Sequence, residues 1–146
     1  MSLIEKFKDP TRRAAIVDDC VVLVDGEVQK KGGLGGVVIK TGYAAVKGIK
    51  PGFVRKVVDG LFDRWAVKLE PFWSEAEANG APPVDHLVAR KAAVADALLS
   101  VTDEKAERAD HAIVASTYKK LRPTAKGHVE EAVPALAKLI DKHARG

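Results

Sequence analysis

Between Val28 and Val58 the chain carries Lys30, Lys31, Lys40, Lys47, Lys50, Arg55 and Lys56 and no aspartate or glutamate. Seven of the twelve glycines fall in the same stretch, including the run Gly32-Gly33-Leu34-Gly35-Gly36, so positive charge coincides with backbone that can approach a partner closely. Successive glycine N–H groups leading into a helix form an anion-binding concavity. The chemistry indicated is capture of a phosphate or carboxylate by the N–H groups of Gly35, Gly36 and Val37 beside Lys30 and Lys31, with a wider anionic contact along Lys40, Lys47 and Lys50. The plain alternative is a helix cap and a tight interhelical turn. Neither familiar phosphate loop fits. A Walker loop needs Gly-Lys followed by Ser or Thr, and the dinucleotide fingerprint that starts at Gly33 and Gly35 meets Val38 where its third glycine belongs.

A second constellation is Glu104, Glu107 and His111, which fall within about 60° of one another around a helix with Tyr118 above them. That is the geometry of a metal site or an acid/base pair. A carboxylate-bridged di-metal bundle, however, needs Glu-x-x-His on two helices, and the sequence contains none; the alternative is a solvated, salt-bridged face. Asp59, Asp63 and Glu70 share one side of another helix, with Lys56 and Arg64 close enough in sequence to neutralise them. Cys20 sits among Val17, Val21, Val22 and Val24 beside Asp18 and Asp19, which favours a small buried hydrophobe over a reactive thiolate. His86, His128 and His143 lack metal-ligand spacing, and His143 follows Leu136 and Ile140 onto a core edge. No Gly-x-Ser-x-Gly occurs, and Trp65, Trp73 and Phe62 recur at the spacings of packing residues. The pattern calls for no cofactor and no metal.

The elements that must position these residues are helical. At 146 residues the chain is the size of one ordinary domain with a core of its own. Net charge is +4, and the excess lies in residues 1–73, which hold 13 Lys/Arg against 9 Asp/Glu. A dedicated nucleic-acid binder is more strongly basic and interleaves aromatics with its cations, and here only Tyr43 and Phe53 do so. No apolar run reaches the roughly 18 residues that span a bilayer, and Met1 to Asp9 is too charged and short for a secretory signal, so a cytoplasmic location is expected.

Ser2-Leu3-Ile4-Glu5 has the form of a capping box opening a short helix to about Lys8. Asp9-Pro10 starts the next, where Ala14, Val17, Val21, Val24 and Val28 make a stripe and Arg13 and Glu27 depart from the polar arc opposite. A third helix is expected from about Gly36 to Ile49, with Lys40, Tyr43, Lys47 and Lys50 on one strip and Val38, Gly42, Ala45 and Ile49 inward. After Lys50-Pro51-Gly52, Val54, Val58, Leu61, Trp65, Leu69 and Phe72 form the cleanest stripe, with a kink or break expected at Pro71 before a short segment to about Ala78. Asn79 to Pro83 is a loop between two helical halves that share one core. Beyond it the signals predict a helix capped by Asp85 to about Ser100, another capped by Thr102 to about Leu121, a break at Arg122-Pro123, and a last helix bent at Pro134. No segment alternates with period two.

Laid out in this way, Ser2-Leu3-Ile4-Glu5-Lys6, Gly42-Tyr43-Ala44-Ala45-Val46-Lys47 with Lys50-Pro51-Gly52-Phe53, and Ala97 to Asp103 resemble a family of small all-helical bacterial proteins of unassigned function. The resemblance implies a bacterial source and transfers no catalytic or binding residue. The expectation is an all-α bundle of six to seven helices in a single domain, the third and fourth central. Its role is expected to be a non-enzymatic binding or interaction module facing an anionic partner through the basic segment. The alternatives are a small-ligand or metal-dependent enzyme built on Glu104, Glu107 and His111, and a purely structural homo-oligomer.

Overall fold

The structure is a computed structural model that describes residues 2–145. Among the described residues it has seven helices and no strand: α1 (Leu3–Lys6), α2 (Pro10–Lys30), α3 (Gly33–Lys47), α4 (Phe53–Ala78), α5 (Pro83–Ala89), α6 (Lys91–Glu107) and α7 (Ala112–Arg145). The all-α expectation holds. The sequence placed the third and fourth helices at the centre; instead α4 and α7 are the hubs, and α3 lies at one edge against α2, α4 and α7. One apolar cluster takes Leu3 and Phe7 from the N-terminus, Ile16 and Val17 from α2, Trp73 from α4, and Leu87, Val94 and Val133 from beyond the loop at 79–82.

The first two helices start where their capping residues dictate. Ser2 Oγ accepts from the N–H of Glu5 at 3.1 Å and donates to Glu5 Oε1 at 3.2 Å, and the N–H of Leu3 donates to Glu70 of α4 at 3.0 Å, so an orphan amide of α1 is satisfied across the bundle. Asp9 Oδ2 accepts from the N–H of Arg12 at 3.1 Å, with Pro10 at the first helical position. Between α2 and α3 the chain reverses at Gly33, where φ is 69°, a left-handed value suited to glycine. α3 therefore begins three residues before the expected Gly36. Its inward residues are Gly36 and Ile39, whereas Val38 is 42 % exposed and Ala45 is exposed. Contact with α7 rotates the helix: a Cβ on Gly42 would stand 2.8 Å from Thr117 Cγ2.

The breaks considered at Pro71 and Pro123 do not occur, while Pro134 lies inside the last helix as expected. α4 continues through Pro71 to Ala78, and α7 runs 34 residues through both Pro123 and Pro134. Pro71 and Pro123 are exposed, so the carbonyl each ring displaces four residues earlier is on a side open to water. The expected helix from Asp85 to Ser100 is instead two, α5 capped by Pro82 and α6, meeting at Arg90. Arg90 Nη1 donates to Glu75 at 2.9 Å and its guanidinium lies 5.1 Å from the centre of the Phe72 ring, a grip on α4 that fixes the corner. Thr102 caps nothing: its hydroxyl donates to the carbonyl of Leu99 at 3.1 Å, and α6 carries on to Glu107.

A candidate ligand cavity inside the bundle

α2, α4, α6 and α7 form a ring in which each packs on the next. They line, together with Leu3, Phe7 and Ile39 of α3, a partly open apolar cavity of 350 Å³. The α2 wall is Ile16, Cys20, Leu23, Val24, Glu27, Val28 and Lys31, spaced by three and four, so one continuous stripe faces inward over about 22 Å. The α7 wall, Leu121, Ala125, His128, Val129, Ala132, Leu136 and Ile140, has the same rhythm. The two helices run antiparallel: Lys31 pairs with Glu131 at one end and Asp19 with His143 at the other. Space remains because small side chains, Ala66, Ala125 and Ala132, stand where the stripe positions of a filled core carry Leu or Ile.

The stripe expected on α2 is turned by part of a turn. Ala14 is exposed while Ile16 and Cys20 face in, since Arg13 must reach α4, where its Nε donates to Asp59 at 3.2 Å and its guanidinium lies 5.2 Å from the Phe62 ring centre. Arg13, not Lys56 or Arg64, is thus the cation that answers Asp59 and Asp63.

Polar groups reach the cavity wall at few places. Glu27 Oε1 accepts from Lys30 Nζ at 3.2 Å, while its Oε2 is buried without a hydrogen-bond partner. His128 Nδ1 is buried and unpartnered as well. Lys31, whose side chain is only 11 % exposed, donates to Glu131 and holds that carboxyl below its usual range. Cys20 contributes only an apolar surface: burial, helped by the charge of Asp19, pushes its thiol up to about 11, so it is no nucleophile at neutral pH. Trp65 lines the wall and its indole N–H donates to the carbonyl of Leu98 at 3.2 Å. Glu27 was legible as an exception to the polar arc of α2. Nothing marked His128 in the sequence except its place between the inward Ala125 and Ala132.

Gly36 is buried, its N–H donates to the carbonyl of Gly32 at 3.1 Å, and a Cβ there would meet the Lys31 carbonyl at 2.6 Å; its amide is spent in a tight interhelical turn. Gly35 has open space beside it. Lys30, Lys31 and Lys47 are engaged by Glu27, Glu131 and Asp25, and Lys47 also lies 5.3 Å from the Tyr43 ring centre. Lys40 and Lys50 are exposed and enter no ion pair among the described residues. Beside them α3 shows Leu34 at 89 % and Val37 at 61 % exposure.

Glu104, Glu107 and His111 are not gathered into a metal centre. α6 ends at Glu107, Glu104 turns to Arg108, and His111 stacks edge-on against Phe53 at 5.3 Å; among the described residues no group of three or more His, Cys, Asp and Glu is placed to hold a metal. Tyr118 meets α6 elsewhere. Its hydroxyl is 2.9 Å from Thr102 Oγ1 and donates to Asp103, which also receives Arg122 Nε at 2.7 Å. Burial and the Asp103 carboxylate push the phenol up to about 12, and the Arg122 hydrogen bond holds Asp103 below the carboxylate range. This is a structural clamp between α6 and α7.

The chain belongs to a family of unknown function (DUF6918), whose profile matches residues 3–144. No curated protein and no solved structure matches it. No helix among the described residues is long and apolar enough to cross a membrane.

Proposed function

We propose that this member of a family without an assigned activity is a non-enzymatic binding protein that holds one elongated apolar molecule within its helical bundle. The observation that carries the reading is the 350 Å³ cavity. Apolar wall left facing water forgoes burial worth about 25 cal/mol per Å². Water is a poor filler for walls made of Leu, Val, Ile and Phe, and the length of the α2 stripe suits an alkyl chain better than a compact ring system. The opening and central motifs of the sequence further support a bacterial source. The test is titration with an environment-sensitive apolar dye. Saturable one-to-one binding that is lost in an Ala125→Leu plus Ala132→Leu variant with wild-type circular dichroism supports the reading; a dye that does not bind, or binds the filled variant equally, overturns it.

A second reading keeps the anionic partner expected from the basic segment, and what favours it is the outer side of α3. There Lys40, with Lys50 in the turn that follows, is free of ion pairs among the described residues and accompanies exposed Leu34 and Val37, an arrangement suited to an anionic, partly apolar surface. Sedimentation with phosphatidylglycerol vesicles tests it: salt-sensitive binding reduced by Lys40→Glu plus Lys50→Glu is expected, and no binding at low salt would end it.

A further inference from the structure

We infer that the cavity takes a single-chain amphiphile whose head is an uncharged hydroxyl group, and that Glu27 and His128 form the polar sites that receive it; this rests on the cavity-binding reading above. Three side-chain polar atoms are buried without a hydrogen-bond partner among the described residues, and two of them, Glu27 Oε2 and His128 Nδ1, belong to residues that line this one cavity. Buried polar atoms are normally satisfied, and an orphan oxygen of a carboxylate is among the costliest. Both residues lie toward the same end of the cavity, where α2 passes into α3 and Lys31 joins Glu131. The remainder of the wall, from Leu3 and Phe7 through Ile16 to Leu69 and Ile140, is apolar apart from Thr102, whose hydroxyl already donates to the carbonyl of Leu99. A polar end and a long apolar remainder are the outline of an amphiphile.

The charges at this end select the head. Glu27 is already compensated by Lys30, and Lys31 by Glu131, so the four charges sum to zero. A carboxylate head would face Glu27 with no cation left over. An ammonium head would pair with Glu27 only beside Lys30 and Lys31. What the site lacks is a hydrogen-bond donor for Glu27 Oε2 and a partner of either sense for His128 Nδ1, whose role follows its tautomer. A hydroxyl is both donor and acceptor and adds no charge to an apolar enclosure.

Four probes of equal chain length separate the possibilities: 1-octanol, octanoate, octylammonium and 1-bromooctane, titrated by calorimetry against the full chain. The expected result is one-to-one binding with octanol tighter than each of the others by about tenfold, the worth of a net hydrogen bond in a buried site. His128→Leu and Glu27→Leu should each shrink the octanol preference over bromooctane. Octanol and bromooctane binding equally well to the wild type, or octanoate or octylammonium binding best, overturns the assignment of the head while cavity binding stands. Failure of all four to bind removes both. The wild-type ranking decides even if a leucine variant fails to fold.

Discussion

His143 Nε2 lies 2.6 Å from Asp19 Oδ2, tying the last turn of α7 to the first half of α2 across 124 residues of chain. The hydrogen bond from His143, with the nearby Lys142, holds the Asp19 carboxyl below its ordinary range against the opposing effect of burial. A carboxyl depressed in the folded state favours folding above its unfolded pKa and loses that contribution as pH falls through the lower folded value. Melting temperature should therefore drop as pH is taken below about 4, and Asp19→Asn should flatten that part of the curve while lowering stability at neutral pH. Circular dichroism melts from pH 3 to 7 measure both; parallel curves for wild type and variant would refute the assignment.

Leu61 is 3 % exposed on the inner face of α4. Truncation to alanine removes buried methyl groups and leaves a void, so Leu61→Ala should lower the unfolding free energy by about 2–5 kcal/mol. Urea denaturation reads this directly, and an unchanged midpoint would put α4 outside the cooperative core.

Glycines of two different helices, α3 and α4, should respond in opposite senses. Gly36→Ala drives a methyl group against the Lys31 carbonyl, 2.6 Å away, and should destabilise by about 1–3 kcal/mol. Gly60, with nothing within 4 Å and in the interior of α4, should gain about 0.5–1 kcal/mol as alanine. Thermal melts of the two single variants suffice.

Charge reversal on α3 and in the turn after it should divide the lysines. Lys40→Glu and Lys50→Glu break no ion pair and should change stability by less than about 0.5 kcal/mol. Lys47→Glu places a carboxylate against Asp25, the present partner of Lys47 at 3.2 Å, and should cost more than either. Equal effects of all three would mean that the Asp25 pair contributes nothing.

The helical content and the first two helix starts were legible because caps and periodicity are local: Ser2, Asp9 and Pro10 act within one turn. Helix ends and rotations were not, because they are decided across the bundle. Arg90 breaks a helix through Glu75 and Phe72, and α3 turns its Gly36 toward the Lys31 backbone and its Gly42 toward the Thr117 side chain. Prolines read as breaks were absorbed on exposed sides of long helices. The cations of the basic segment were visible, yet their partners, Glu131 and Asp25, lie 100 and 22 residues away, beyond any local count of charge. The cavity was least legible of all, since it arises where alanines from α4 and α7 fall opposite one another.

Pro123 and Pro134 stand eleven residues apart in α7, so they project within about 20° of each other around its axis. Each lacks an amide hydrogen, and the rungs missing at the carbonyls of Lys119 and Glu130 lie in the same phase. Softness in a helix thereby acquires a direction, because two weakened places on one meridian let the rod flex in a single plane and stay stiff across it. The length between them contains Ala125, His128, Val129 and Ala132. Amide exchange should consequently be fastest along that meridian and slow on its flanks, making one stave of the barrel compliant while the other three keep their shape.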